Sequence, residues 1–112
     1  MSQQALALLT LPVPAAVAIT EYRAVTYLGA IAAADSPDVL GIAKRSGGAG
    51  EMVDVAVLGT AVIEAAAPIA VGQAVISDAT GKATPGTTNV IGRALQAATF
   101  AGELIEILLT KK

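Results

Sequence analysis

The sequence predicts an all-β fold, a small β-barrel or sandwich of short antiparallel strands. Turn residues recur every ~8–12 positions between short runs rich in Val, Ile and Thr, a spacing typical of such folds. Alanine is abundant and favours helix, but few windows carry an apolar stripe at helical spacing without an intervening Gly or Pro. At most one short helix is therefore expected, near Ala65–Ile69, where Pro68 limits its length.

Residues 1–14 form a distinct stretch that is apolar and contains two prolines. Pro12 and Pro14 favour extended backbone, and neither can donate a hydrogen bond to a central β-ladder. The stretch is either an edge strand with a frayed start or an extended N-terminal arm that lies on a neighbouring protein. We take it as an arm because exposed leucines need covering. The candidate partner-binding residues are Leu6, Leu8, Leu9, Leu11 and Pro12.

Short β-rich runs separated by turns make up the rest of the chain. Residues 52–57 alternate between two faces, with valines on one of them. Asp35–Asp38 and Asp78–Lys82 carry turn residues, and residues 45–51 form a glycine-rich loop. Strands are predicted at residues 17–20, 24–32, 39–44, 52–59 with an extended continuation over 60–65, 73–77, 90–98 and 104–110.

Residues 15–112 are expected to form a single β domain, since the whole chain has the length of one domain. An internal similarity is visible within it. V-L-G at 39–41 followed by G-E at 50–51 is similar to V-I-G at 90–92 followed by G-E at 102–103. This predicts two pseudo-repeated β units, at about 23–60 and 73–110. The alternative is that unrelated hairpins with similar turns look alike.

The composition points to contacts with other protein. Hydrophobic residues make up 54% of the chain and charged residues 14%, against about 25% charged residues in average domains. So much apolar surface is hard to bury within one short chain, and part of it is expected to face other subunits. The net charge is −2, and no cluster of Lys and Arg offers a nucleic-acid footprint.

Neither export nor membrane insertion is expected. The apolar start of the chain has no Lys or Arg before it and is interrupted by prolines, unlike a signal peptide. No segment reaches the roughly 18 uninterrupted apolar residues that a membrane helix needs.

The sequence also lacks the residues of common catalytic and metal sites. There is no His and no Cys, which removes the commonest general base and makes zinc or copper binding very unfavourable. Glu51 with Asp54, and Glu103 with Glu106, are spaced to lie on opposite faces of a strand, so they predict solvated charges rather than an acid–base pair. The loop S-G-G-A-G at 46–50 lacks the pattern of a phosphate-binding loop. We expect no enzyme activity, no cofactor and no metal.

Five motifs in the second half of the chain carry a resemblance. They are G-x-x-V before a strand, D-x-T-G-K in a hairpin, a Thr-rich loop, a hydrophobic–Gly–x–Ala segment and a final apolar strand. In this order they resemble the small phage capsid cement, or decoration, proteins, and the similarity extends from Val39 to Leu109. Some members are described as RecA/RadA-type phage recombinases, but this sequence has no nucleotide loop. The motifs lie at Gly72–Val75, Asp78–Lys82, Thr84–Thr88, Ile91–Ala97 and Leu104–Leu109.

The resemblance implies a virion protein, made in the host cytoplasm, that sits on the outer surface of a phage head. It would clamp neighbouring major capsid subunits, often as a homo-trimer, and it brings no catalytic residues. The family opens with a Gly-containing extended segment, whereas Leu6–Tyr22 is apolar and contains prolines here. An alternative is a carbohydrate- or host-surface-binding module displayed on the virion, with Tyr22, Tyr27 and Phe100 as its available aromatics.

Overall fold

An antiparallel sheet that nearly closes into a barrel forms the architecture, which confirms the predicted all-β fold. The structure, a computed structural model, describes residues 7–109, with backbone alone for Ala7 and Leu8. The strands are β1 (Ala7–Pro14), β2 (Ala24–Thr26), β3 (Val39–Ala43), β4 (Met52–Glu64), β5 (Ala74–Ser77), β6 (Ala83–Pro85), β7 (Gly92–Ala94) and β8 (Leu104–Leu109).

The sheet runs in the order β2-β3-β4-β8-β7-β5-β6, and β1 pairs with β4 outside this path. Its two ends meet where the Ala24 N–H donates to the carbonyl of Gly81, just before β6, at 2.7 Å. No helix occurs between residues 7 and 109, so none there is long and apolar enough to span a membrane. The short helix allowed near Ala65–Ile69 does not form, because Ala65 bridges to Ala83 and Ile69 to Ala98.

The long strand β4 organises both halves of the chain. β1 and β3 pair with its first part, and β8 pairs with its last part, Thr60–Glu64. Between these parts Gly59 has φ 97°, a conformation open to glycine at little steric cost. The alternation of side chains changes there: Ala56 before it and Ala61 after it belong to the same buried cluster. The single strand β4 therefore contributes buried side chains to two separate apolar clusters.

Residues 7–59 and residues 60–109 follow one hydrogen-bonding scheme. For example, Ile19 and Gly47 exchange two backbone hydrogen bonds, and so do Ile69 and Ala98. The matching includes residues 11–22 and 61–72, which lie outside or at the edge of the units predicted at 23–60 and 73–110. We call these two parts the first half and the second half. Further matched pairs are Val25–Gly41 with Val75–Gly92, Ala43–Val55 with Ala94–Ile107, and Val13–Val53 with Ile63–Ile105.

Each half has its own apolar cluster. The first contains the alternating valines of β4, which pack against Val13 of β1 and Val25 of β2. The second contains Ile63, Ile105 and Ile107, and it also takes up residues from the first half. A fully buried Val or Ile contributes roughly 1.5–3 kcal/mol, so these small aliphatic side chains can hold the fold together. The first-half residues that belong to this second cluster are Ala24, Ala32, Ile42 and Ala56.

Candidate partner-binding surfaces

Two of the four carboxylates singled out in the sequence, those of Glu51 and Glu103, cap loops. The Glu103 carboxylate accepts hydrogen bonds from the backbone N–H groups of Thr99 and Phe100, at 2.9 and 2.8 Å. The Glu51 carboxylate accepts from the N–H of Gly48 in the matched loop. Both lie at loop–strand junctions, where solvated charges are predicted, and they also anchor the turns before β4 and β8. Among residues 7–109, no three His, Cys, Asp or Glu side chains gather as metal ligands would.

A small cleft of about 190 Å³ lies where the two halves meet. It is smaller than the ≈ 300–1,000 Å³ of a typical ligand pocket, and Lys44 is the charged residue of its lining. Such a cleft does not provide a catalytic constellation. The lining residues are Tyr22, Ile42, Ala43, Lys44, Ala61 and Val62.

Four of the predicted partner-binding residues, Leu8, Leu9, Leu11 and Pro12, lie on β1, which is paired along its length with β4. Leu9, Leu11 and Pro12 are exposed; Leu6 lies outside the described residues, and nothing is described of the Leu8 side chain. Leu9 has the exposed Leu58 as its cross-strand partner. We call Leu9, Leu11 and Leu58 the N-terminal leucine patch. Leu58 was missed because strand register, and not local sequence, brings it to Leu9.

Ala7–Pro14 thus forms an edge strand of this chain's own sheet. Lys44 donates its N–H to the Asp54 carbonyl at 2.8 Å, so Asp54 directs its main-chain groups toward β3. Pro12 lies opposite Asp54, and its main chain therefore faces away from β4. Because proline has no N–H, this edge is poorly equipped to pair with a further strand.

A second apolar surface covers the outer side of β7 and β8. Leu95 donates its N–H to the Glu106 carbonyl at 2.9 Å, which sets it opposite Glu106 and beside Leu104 and Leu108. Val71 adjoins it, since the next residue, Gly72, donates to the Ala94 carbonyl at 2.7 Å. All four apolar side chains are exposed. We call Val71, Leu95, Leu104 and Leu108 the second-half face. Alternation along 104–109 could have revealed its two β8 members.

A third exposed feature is the hairpin turn after β2. Tyr27 is 63% exposed and Leu28 84% exposed. The matched turn of the second half carries Ala79 and Thr80, and there the Thr80 carbonyl accepts a hydrogen bond from Arg23 at 3.2 Å. We call Tyr27 and Leu28 the hairpin tip. Of the other two aromatics, Tyr22 lines the cleft and Phe100 is exposed in the turn before β8, so the three do not line one site.

The comparison with protein families gives the identity of this β-fold. The model of the phage cement proteins matches residues 2–109, nearly the entire chain.

This chain belongs to the phage cement protein family.

The family is a structural one of the phage head and is not an enzyme class. The protein is therefore a structural, head-associated phage protein. The match extends the predicted resemblance from residues 39–109 to the N-terminal strand.

A solved structure shares the fold. The base of the head fiber gp8.5 of bacteriophage phi29 superposes with a TM-score of 0.71 at 20% identity, covering 91% of this chain and 93% of the other. No curated protein matches the sequence.

Proposed function

We propose that the protein binds the outer surface of a phage head and stabilises the shell by clamping neighbouring major capsid subunits. The family match over residues 2–109 carries the proposal. The fold shared with a head fiber base of phage phi29 supports it. The protein is made in the host cytoplasm, and it acts on the head as a homo-trimer. Repeated copies on a lattice bind by avidity, so each copy needs only a modest interface.

The hairpin tip is our candidate for the capsid contact. Anchor residues of protein interfaces are large apolar or aromatic side chains that insert into a partner's pocket. Leu28 is exposed over most of its surface, and it adjoins Tyr27, which is also exposed. The matched turn of the second half carries small or polar residues and bonds to Arg23 of the same chain. The apolar tip is therefore not a requirement of this turn, which supports a role in binding.

The experiment compares heads without the protein with heads that have been refilled with it. Refilled heads should resist disruption to a higher temperature than bare heads. Leu28→Ser should bind about tenfold more weakly or worse, because an anchor contributes more than 1.4 kcal/mol. Thr80→Ala, at the matched turn, is the control and should bind normally. Light scattering during heating and the stoichiometry of bound protein are the measurements.

Equal heat resistance of bare and refilled heads would exclude the stabilising role. Normal binding of Leu28→Ser would exclude the tip as the contact and leave the stabilising role intact.

The display of a glycan-binding surface is the alternative, and the exposure of Tyr27 favours it because sugars stack on aromatic rings. A glycan-array signal that Tyr27→Ala abolishes, together with unchanged head stability, would support this function over the first.

A further inference from the structure

We infer that a second copy of this chain covers the N-terminal leucine patch, and that it does so with its second-half face. The inference rests on the self-association included in the proposed function and assigns the two surfaces that meet. It follows from a contact that the two halves already make within one chain.

The first step compares matched positions in the two cores. Leu11 pairs with Val55 in the first half as Ala61 pairs with Ile107 in the second. The two positions are therefore equivalent in the sheet. Ala61 is 2% exposed, whereas Leu11 is 38% exposed. The first half thus has an uncovered apolar position where the second half is covered.

The second step identifies what covers Ala61. Ile42 of β3 shares the cleft lining and the buried cluster with it, and Ile42 pairs with Ala56 of β4. Both Ile42 and Ala56 are almost completely buried. The outer side of β3 and β4 in the first half therefore covers the open end of the second half's core.

The third step finds the equivalent of that covering surface. Arg93 pairs with Leu108 in the second half as Ile42 pairs with Ala56 in the first. Arg93 and Leu108 are both exposed, and Leu108 belongs to the second-half face. Within residues 9–109, Leu108 of this surface stays exposed in the second half, and Leu11 at the open end of the core stays exposed in the first half.

The charges around the covering surface differ between the halves. Lys44 donates to the Asp54 carbonyl as Leu95 donates to that of Glu106, so Lys44 and Leu95 are equivalent. Both side chains are exposed, but one is charged and the other apolar. Removing a charge from an exposed position favours burial against a partner. At this position the second-half face is apolar where the first half carries a charge, whereas Arg93 is charged where Ile42 is apolar, so the charge has moved from one edge of the surface to the other.

The contact that joins the two halves within one chain can be repeated between two copies of the chain. In that case it brings the second-half face and the N-terminal leucine patch together. The second-half face of one copy then lies on the N-terminal leucine patch of the next. Since the two surfaces differ, the contact is head-to-tail. Copies joined in this way form a ring when the rotation from one copy to the next brings the last copy back onto the first. The internal contact includes a hydrogen bond from Glu64 N–H to the Tyr22 carbonyl at 2.9 Å. Pro14 occupies the position equivalent to Glu64 and cannot donate, so side chains dominate the contact between copies.

Cysteine cross-linking tests the assignment cleanly, because the chain has no cysteine. Leu11→Cys and Leu108→Cys are prepared separately and then mixed under mild oxidation, both free at high concentration and bound to heads. The mixture should form disulfide-linked dimers, whereas each variant alone should form few, since a head-to-tail contact places unlike positions together. Leu28→Cys mixed with Leu11→Cys is the control and should not cross-link.

A mixture that yields no more dimer than the separate variants, in solution and on heads, overturns the inference. Head binding is scored independently, so that outcome leaves the capsid role standing. A second pair of variants, Leu95→Asp and Leu108→Asp, separates assembly from folding. Both positions are exposed, so the circular dichroism of each variant should match that of the wild type. The mass of the assembly, measured free or after release from heads, should be lower than that of the wild type. Folded variants with an unchanged assembly mass also overturn it.

Discussion

Gly41 and Gly92 show how one atom can decide strand pairing. A Cβ at Gly41 would lie 2.1 Å from the carbonyl oxygen of Ala56, and one at Gly92 would lie 2.5 Å from that of Leu108. Neither glycine has a positive φ, so close approach rather than backbone conformation requires them. The sequence showed both as the last residue of a repeated V-hydrophobic-G motif, but it could not show which backbone they face.

Substituting Gly41 should destabilise the fold. Gly41→Ala is expected to lower the free energy of unfolding by roughly 1–3 kcal/mol, because the methyl group forces β3 and β4 apart. Gly48→Ala is the control: the nearest atom to its Cβ is the flexible Glu51 carboxylate, at 3.4 Å, and the effect should stay within about 0.5 kcal/mol. Urea unfolding followed by circular dichroism measures both, and equal midpoints would contradict the steric explanation.

Among the elements, β1 shows best what tertiary structure adds to local sequence. Prolines and exposed leucines predicted either an edge strand or an arm that reaches to a neighbour, and in residues 7–14 Val13 lies in the first cluster and the strand covers one edge of β4. Local pattern identified the extended backbone of residues 7–14 correctly. It could not identify the pairing partner, because strand alternation specifies faces but not neighbours. The run 52–59 and its expected extended continuation over 60–65 together form the single strand β4.

Removing β1 should therefore affect folding as well as binding. Deleting residues 1–14 removes the cover of Val53 and Val55, and we expect a loss of at least about 3 kcal/mol, since each buried valine contributes roughly 1.5–3 kcal/mol. Leu9→Ser, at an exposed position of the same strand, should unfold like the wild type. Thermal melts compare the two variants, and a truncated chain as stable as the wild type would show that β1 contributes nothing to the core.

At the scale of the whole molecule, Glu64 joins the two halves. Its carboxylate lies 3.6 Å from Arg23 Nε of the first half and 3.2 Å from Lys82 Nζ of the second. All three side chains are about three-quarters buried. The same Arg23 donates to the Thr80 carbonyl. This cluster fixes the hairpin of β5 and β6 against β2, at the place where the sheet nearly closes.

Neutralising this carboxylate should weaken that junction. Glu64→Gln is expected to cost about 1 kcal/mol of unfolding free energy, with a smaller effect at high salt. Asp54→Asn, which removes a 3.7 Å pair with Arg45 between half-exposed side chains, is the matched control and should cost less than about 0.5 kcal/mol. Denaturant unfolding at low and high salt provides the measurement, and identical losses for the two variants would contradict the special role of Glu64.

The sequence by itself determined the strand-rich fold, the apolar excess and the lack of His and Cys, because composition, alternation and turn residues are local properties. It also indicated the phage cement family through motifs in residues 72–109. Only the tertiary structure decided that Leu58 joins Leu9, that Ile42 covers Ala61 and that Leu108 stays uncovered. Those contacts depend on register between strands distant in the chain, and identical local patterns are compatible with many registers.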